Sequence, residues 1–490
     1  MGISIPPDQI ERLVQEVVRQ VRHDSAPAQP APAPAATQRP AVGQRPAPAA
    51  GGEPGVFADM DRAIDAAQQA YQEFSAVSLY RRERFLEAMR TAAREHAEAW
   101  ARQAVAETGL GRAEDKIQKN LLAADKTPGV EDLTPLVYTG DDGMTLVEPA
   151  PYGVVGAITP TTNPVATIIN NALSIVAAGN AVVFNPHPSA RGVSNRALGV
   201  FNRAIQRAGG PETLLCSIAE PSLDSSRALM AHPGIRLLLV TGGGAVVELA
   251  MTSGKKCIAA GPGNPPVIVD DTAVIARAAR NIVDGAAFDN NVLCTAEKEV
   301  LVFDNVADEL IAEMQACGAV LVAGAQLERL VEVLVEPGEP WPHPNKAFVG
   351  KDAGQLLAQA GVQPQREARL VICETDFDHP LVQAEMLMPI VPIVRVADLS
   401  EALDKAKRAE HGHRHSAYMH SESVSNMSRV ARDIETTIFV KNAPSYAGLG
   451  FGGEGHCTLS IAGPTGEGLT SARSFTRQRR CVLAGAFRII

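Results

Sequence analysis

The sequence predicts an α/β protein with two doubly wound domains. The chain has 490 residues, more than one compact core usually organises. From Pro151 onward, short apolar runs alternate with segments of helical periodicity, and a second series of the same kind follows Leu301. This alternation is typical of parallel sheets covered by helices on both faces. We therefore expect two α/β domains with a cleft between them.

Composition and charge argue against several other classes of protein. No apolar run approaches the roughly 20 residues that span a bilayer, and the N-terminus lacks the apolar core of a secretory signal. The net charge of −10 disfavours nucleic acid as a partner. The seven scattered cysteines form no CxxC pair, which indicates a reducing compartment and neither a disulfide framework nor a structural metal.

The N-terminus predicts a tethered amphipathic helix. Within residues 8–22, apolar side chains recur at helical spacing, and residues 26–55 form a linker rich in Ala, Pro, Gly and Gln. A helix this short needs a partner for its apolar stripe. We interpret residues 1–25 as a docking segment; the alternative is a helix that packs back on its own domain.

The folded body is expected to begin near Val56 with helices. The predicted helices of the first part are 57–74, 79–108, 116–124, 167–178 and 189–207, and the strands are 154–158, 181–184, 235–240 and 267–269. The second part predicts a helix over 272–288 and strands over 298–303, 319–322, 368–372 and 390–396.

Cys294 is the most informative residue of the chain. It lies on the predicted loop between helix 272–288 and strand 298–303, among small polar residues, where a thiol can meet a substrate. For any one cysteine the alternative is a small buried hydrophobic residue. That alternative applies equally to the others, Cys216, Cys257, Cys317, Cys373, Cys457 and Cys481.

Two further motifs follow predicted strands, where open α/β sheets place their ligands. Asn163 can donate from its amide to a developing oxyanion, although for this motif taken alone an Asn-Pro turn is the better explanation. Thr241, Gly242 and Gly243 open a helix, and glycines at such a turn let a backbone approach a pyrophosphate.

Two single residues allow a functional and a structural interpretation. His187, after Asn185 and Pro186, either contacts a nucleotide or caps the turn. Glu385 heads an apolar run, where it accepts hydrogen bonds from ribose hydroxyls or is a solvated charge at a helix end.

In this order and spacing, the pieces resemble the aldehyde dehydrogenase superfamily over about residues 56–490. The resemblance is to its CoA-acylating branch in bacterial microcompartments, the acetaldehyde and propionaldehyde dehydrogenases. The stretches that carry the branch resemblance are 160–171, 178–189, 290–298, 409–421 and 465–481.

The resemblance implies a role for each motif. Cys294 is the nucleophile, and Asn163 and the Cys294 backbone N–H are the oxyanion donors. Glu385 holds the nicotinamide ribose of NAD. The remaining cofactor-binding residues are Ile158, Thr159, Pro160, Asn185, His187, Thr241, Gly242 and Gly243. Asn185 departs from the Lys of many hydrolytic relatives, so the preference between NAD and NADP stays open.

One departure from the hydrolytic relatives indicates the acyl acceptor. Those enzymes carry a Glu before a Gly-Gly-Lys turn, whereas residues 258–265 here contain no carboxylate. Water needs a general base, but a thiol ionises with a pKa of about 8.5. The resemblance therefore implies transfer to coenzyme A, unless a carboxylate from elsewhere fills the role. The alternatives are a hydrolytic NAD(P)-dependent enzyme and an inactive cargo or scaffold protein.

The resemblance also implies an organisation. It consists of a dinucleotide-binding domain over 56–261, a catalytic domain over 262–450 and a return segment over 451–490. A hairpin at about 136–150 and a strand at about 481–490 would join a homodimer or tetramer. Residues 1–25 resemble an encapsulation peptide that binds a shell or cargo protein in the lumen of a microcompartment in the bacterial cytoplasm.

Overall fold

A computed structural model describes residues 52–489. The predicted N-terminal helix and residues 26–51 of the predicted linker lie outside this range. Within it, no helix is long and apolar enough to cross a membrane.

The described residues contain twenty strands, numbered here in chain order. They are β1 (Val56–Phe57), β2 (Leu136–Gly140), β3 (Gly143–Pro151), β4 (Val154–Thr159), β5 (Ala181–Pro186), β6 (Leu215–Ile218), β7 (Leu237–Thr241), β8 (Cys257–Ala260), β9 (Pro266–Val269), β10 (Glu299–Phe303), β11 (Ala319–Leu321), β12 (Val335–Glu336), β13 (His343–Pro344), β14 (Leu370–Glu374), β15 (Ile390–Val396), β16 (Ser416–His420), β17 (Ile438–Lys441), β18 (Ile461–Ala462), β19 (Gly468–Leu469) and β20 (Thr476–Ala484).

The same residues contain fourteen α-helices. They are α1 (Met60–Phe74), α2 (Leu79–Thr108), α3 (Ala113–Lys126), α4 (Pro164–Ala177), α5 (Arg191–Arg207), α6 (Leu223–Ala231), α7 (Gly244–Met251), α8 (Ile275–Ala287), α9 (Asp304–Ala316), α10 (Ala325–Leu334), α11 (Ala353–Gln359), α12 (Pro380–Gln383), α13 (Leu399–Ala409) and α14 (Val424–Asp433).

The first large sheet has six parallel strands in the order β1-β6-β5-β4-β7-β8. The chain runs outward from β4 through β5 and β6, then returns to the other side of β4 as β7 and β8. The strand order therefore reverses between β4 and β7, and ligands of open α/β sheets bind outside the carboxyl ends of strands at such a point.

The second large sheet has seven parallel strands in the order β11-β14-β15-β10-β9-β16-β17. Its central strand β10 is buried at every position, as expected of a parallel strand covered on both faces. Two separate apolar clusters, one on each side of the sheet, include alternate residues of β10, Val300 and Val302 on one side and Leu301 and Phe303 on the other.

A small antiparallel sheet joins β2, β3 and β20. The hairpin predicted at about 136–150 is present as β2 and β3. The C-terminal strand predicted over 481–490 is misplaced, because β20 pairs continuously from Thr476 opposite Pro151 to Ala484 opposite Gly143. Strand β3 begins at Gly143 and offers no partner beyond it, so β20 ends there.

Local capping explains where several predicted helices begin and end. Helix α2 matches its prediction because Ser78 caps its start and Gly109, with a φ of 69°, ends it. Helix α1 begins three residues later than predicted, at Met60, since Phe57 pairs with β6 and Asp59 accepts a hydrogen bond of 2.9 Å from Arg62 N.

Candidate active site

The site lies where the carboxyl edge of the first sheet meets the amino edge of the second. Strand β8 ends at Ala260 and β9 begins at Pro266, so segment 261–265 connects the two edges directly. The loop before β10 packs back on the core of the first sheet, with Leu293 and Ala296 buried there. This loop, residues 288–298, is called the nucleophile loop below.

Cys294 is half-buried on the nucleophile loop, between the kinked segment Phe288–Asn291 and β10. Burial raises the pKa of its thiol to about 12, and the nearby Glu385 carboxylate adds to the rise. The ammonium groups of Lys298 and Lys119 act in the opposite direction and favour the thiolate. Because the thiolate is the nucleophile, these two lysines favour its reaction.

The backbone of the nucleophile loop is held by Lys298, which the sequence analysis did not single out. Its buried Nζ donates to the carbonyl oxygens of Asn291 and Leu293 at 3.0 and 3.1 Å and to Asn291 Oδ1 at 2.5 Å. Residues 289–291 have φ values of 50°, 53° and 63°, a left-handed conformation that Asn and Asp tolerate. The sequence signal was a lysine placed shortly before an apolar run, Val300–Phe303.

Glu385 lies beside Cys294. Its Oε1 accepts a hydrogen bond of 3.4 Å from Gly263 N, and its charge acts on both Cys294 and Lys298. Burial raises the pKa of Glu385 to about 7, while Lys298 lowers it. The structure therefore brings together Cys294 and Glu385, which are 91 positions apart in sequence.

Gly263 leaves no room for a side chain next to the nucleophile. A Cβ atom there would lie 2.8 Å from His415 Cγ and 3.1 Å from the Cys294 carbonyl oxygen. Segment 261–265 contributes no carboxylate, and at Gly263 it could not accommodate one without movement of its neighbours.

Asn163 occupies the N-cap position of α4 without capping it through its side chain, and it is buried. Its Oδ1 accepts a hydrogen bond from Lys119 Nζ, and its Nδ2 donates to Thr162 Oγ1 at 3.3 Å. Lys119 also pairs with Asp289 on the nucleophile loop. Sequence analysis missed this lysine and this aspartate, because nothing in their local pattern distinguishes them from solvated helix and loop charges.

The glycine turn after β7 leaves open space above its backbone. A Cβ atom added to Gly243 or Gly244 would meet nothing within 4 Å, and α7 begins at Gly244. The turn itself is anchored, since Gly242 N donates to Ala260 O at 3.1 Å and Thr241 Oγ1 lies 2.7 Å from Ser460 Oγ. Open space at a helix N-terminus fits the phosphates of a dinucleotide.

The residues predicted along the adenosine and nicotinamide arms of the cofactor lie at the carboxyl ends of β4 and β5. Ile158 and Thr159 end β4 and Pro160 follows it; the Thr159 carbonyl accepts a hydrogen bond of 3.1 Å from His187 N. His187 also caps a turn, because its Nδ1 accepts from Ser189 N at 3.2 Å. Burial and the charge of Lys346 lower the pKa of its imidazole.

Asn185 is buried, and its amide is turned toward the start of α6. Its Nδ2 donates to Ser226 Oγ and its Oδ1 accepts from Ser225 Oγ, both at 2.7 Å. The side chain therefore joins β5 to α6, a structural role that the sequence did not indicate.

Residues 53–478 match the Aldehyde dehydrogenase family. The chain belongs to this family. It is 50% identical over 443 residues to acetaldehyde dehydrogenase (acetylating) EutE of Salmonella typhimurium, covering 89% of this chain and 94% of the relative. It is 45% identical over 436 residues to propanal dehydrogenase (CoA-propanoylating) of the same organism, covering 89% and 93%.

Solved structures of other family members agree with the fold. A propionaldehyde dehydrogenase from the Clostridium phytofermentans fucose utilisation bacterial microcompartment is 48% identical, with a TM-score of 0.87 over 89% of this chain and 100% of that chain. The Rhodopseudomonas palustris propionaldehyde dehydrogenase with bound CoA and an acylated cysteine is 47% identical, with a TM-score of 0.87 over 89% and 99%.

Proposed function

We propose that the protein is a CoA-acylating aldehyde dehydrogenase. It oxidises acetaldehyde or propionaldehyde with NAD+ and transfers the acyl group to CoA, and the reaction is reversible. The observation that carries this proposal is the position of Cys294 beside segment 261–265, which has no carboxylate to activate water. Its relatives that acetylate or propanoylate CoA support the same chemistry.

In the proposed reaction, the Cys294 thiolate adds to the aldehyde carbonyl. Asn163 Nδ2 and the Cys294 backbone N–H donate to the oxyanion that forms. Loss of hydride from the adduct leaves an acyl thioester on Cys294. The CoA thiol loses its proton to solvent, and the resulting thiolate attacks this thioester. The carbon–sulfur bond to Cys294 breaks, acyl-CoA leaves and the thiolate is regenerated.

The residues at the reversal point of the first sheet fit a dinucleotide. Glu385 and the turn Thr241-Gly242-Gly243 would hold NAD+, with Ile158, Thr159, Pro160, Asn185 and His187 along its adenosine and nicotinamide arms. Bound there, NAD+ supplies the hydride acceptor. Asn185 contributes by holding α6, since both ends of its amide already have partners within the protein.

Glu297, the carboxylate nearest to Cys294 in sequence, is turned toward α8 and Ser445. Glu297 accepts a hydrogen bond of 2.7 Å from Ser445 N and lies against Gly285 of α8. Glu299 begins β10 and is fully buried. Glu385 is the carboxylate that reaches this segment, and burial and Lys298 together set its pKa near 7.

The test is NADH formation from acetaldehyde and propionaldehyde, with and without CoA, with the product identified. We expect strict dependence on CoA and an acyl-CoA product. Free acid formed without CoA would assign the protein to the hydrolytic enzymes. Cys294→Ala should abolish turnover, whereas the matched variant Cys317→Ala, at the end of α9, should retain it.

We further propose that the enzyme works inside a bacterial microcompartment as a homodimer or tetramer. Residues 1–25 would bind a shell or cargo protein. The proposed domains of the remaining chain are the dinucleotide-binding domain 56–261, the catalytic domain 262–450 and the return segment 451–490. The exposed apolar side chains of the β2-β3-β20 sheet support self-association, since Tyr138 and Val482 are 59% and 60% exposed.

A further inference from the structure

A buried charge cluster joins α3 to the nucleophile loop. Lys116 and Lys119 both pair with Asp289 Oδ2, Lys116 at 2.9 Å, and the three side chains are at most 4% exposed. Asp289 Oδ1 accepts a further hydrogen bond of 2.6 Å from Arg112 N. The aspartate N–H donates to Asp115 Oδ2 at 2.8 Å, so both its backbone and its side chain are held by the start of α3.

The same cluster contacts the predicted oxyanion donor. Lys119 Nζ donates to Asn163 Oδ1, and Lys116 Nζ donates to the carbonyl oxygen of Thr162 at 2.9 Å. An ammonium group can only donate hydrogen bonds. It therefore stabilises the orientation of the asparagine amide that presents Oδ1 and disfavours the flipped orientation. Asn163 Nδ2 is therefore directed away from Lys119.

We propose that Lys119 and Asp289 are positioning residues for the oxidation step. Lys119 fixes the amide of Asn163 with its N–H groups toward the oxyanion, and Asp289 holds Lys119 while tying it to the loop that carries Cys294. The oxyanion donor and the nucleophile are thus aligned through one buried ion pair. This inference rests on the proposed function, because it assigns Asn163 its oxyanion role.

Two physical considerations indicate that Lys119 and Asp289 position the site and do not only stabilise the fold. The attraction within a buried ion pair only roughly offsets the free energy lost when both charges are desolvated. Stability alone therefore explains such a cluster poorly. Burial also lowers the pKa of Lys119 to about 8, which leaves the side chain charged at neutral pH.

The test is a double-mutant cycle on NADH formation with Lys119→Met and Asn163→Ala. We expect Lys119→Met to lower kcat by about 10- to 100-fold, below the full effect of removing an oxyanion donor. Its KM for NAD+ should change by less than about threefold, since the lysine does not contact the glycine turn. In the Asn163→Ala background, Lys119→Met should cost at least about threefold less than in the wild type, because the amide it orients is gone and only its effect on the Cys294 thiolate remains.

Lys116→Met is the matched control, because it removes a charge from the same aspartate without touching the Asn163 side chain. In the double variant, the fold-loss of kcat should equal the product of the losses caused by Lys116→Met and Asn163→Ala alone. If the losses from Lys119→Met multiply in the same way, the positioning role is overturned. Asp289→Asn keeps the side-chain shape, and its loss of kcat should become smaller in the Asn163→Ala background, where only the hold of Asp289 on the nucleophile loop remains.

The cycle is read on NADH formation, so it reports on the oxidation step whether CoA or water releases the acyl group. A wild-type enzyme that needs no CoA would overturn the proposed function and leave the cycle interpretable. Fully multiplicative losses in a CoA-dependent enzyme would overturn the inference alone.

Discussion

Lys298 Nζ lies 3.0 Å from the carbonyl oxygen of Asn291 and 2.5 Å from its side-chain oxygen. A third hydrogen bond, to Leu293 O, uses the last proton of the ammonium group. All three ammonium protons of Lys298 are therefore donated to the nucleophile loop. Its charge lies close enough to Cys294 to lower the pKa of the thiol.

Replacing Lys298 should impair the nucleophile. We predict that Lys298→Met slows alkylation of Cys294 by iodoacetamide at pH 8 by about tenfold, the change in thiolate population for one pKa unit. The pH profile of inactivation should move to higher pH. Lys351→Met, which removes an exposed lysine bonded to Gly109 O, is the control and should leave the profile in place. An unchanged profile in Lys298→Met would contradict the electrostatic role.

Gly263 should tolerate no larger residue. In Gly263→Ala, the new Cβ meets His415 and the Cys294 carbonyl, so we expect kcat to fall by at least about tenfold through displacement of the loop. Binding of NAD+, followed by fluorescence titration, should change little. Gly354→Ala in α11 is the matched control, because its Cβ would meet nothing within 4 Å. Equal activity of the two variants would show that the loop adapts.

Acid should destabilise the protein through His420. Burial lowers the pKa of this histidine to about 4, and neither ring nitrogen has a hydrogen-bond partner among residues 52–489. The unfolded chain binds the proton with a pKa near 6.5. The stability contributed by the neutral, buried histidine is therefore intact above about pH 6.5 and is lost as the pH falls toward 4.

Urea titrations at pH 7.5 and pH 5 measure this loss. We predict that the wild type loses on the order of 2 kcal/mol more than His420→Asn between these pH values. Burial raises the pKa of Glu297 to about 7, which acts in the opposite direction over this range, so only the difference between variant and wild type is informative. His343→Asn at the surface should behave like the wild type.

The N-terminal segment should direct the enzyme without affecting catalysis. Deletion of residues 1–25 should leave CoA-dependent turnover unchanged and abolish co-purification with microcompartment shells. A second variant replaces the apolar residues Leu13 and Val17 with Ser in the full-length chain and should lose co-purification in the same way. Normal co-assembly of the deleted enzyme would refute the docking role of this segment.

The small sheet should mediate self-association. Val482→Lys places a charge on the exposed face of β20, and we expect a smaller species by sedimentation velocity at micromolar concentration. Val424→Lys at the start of α14 is the control, since Val424 is 73% exposed and outside this sheet. If both variants sediment like the wild type, the interface lies elsewhere.

Much of the architecture was readable from the sequence, because it depends on local chemistry. The bounds of α2 follow from Ser78 and Gly109, which cap its ends, and β15 spans the predicted residues 390–396. Strand β20 was misplaced because its limits come from pairing with β3, a partner more than 300 residues away. Pairing over that distance leaves no mark on the local pattern.

By itself, the sequence determined the alternation of strands and helices, the family, and the position of Cys294 on a loop after a helix. These depend on periodicity and on motifs contiguous in the chain. Only the tertiary structure decided which charges are buried and paired: Lys119 reaches Asn163 across 44 positions and Asp289 across 170. A lysine on a helix is solvated by default, and only the packing of α3 against the nucleophile loop removes its water and leaves it these partners.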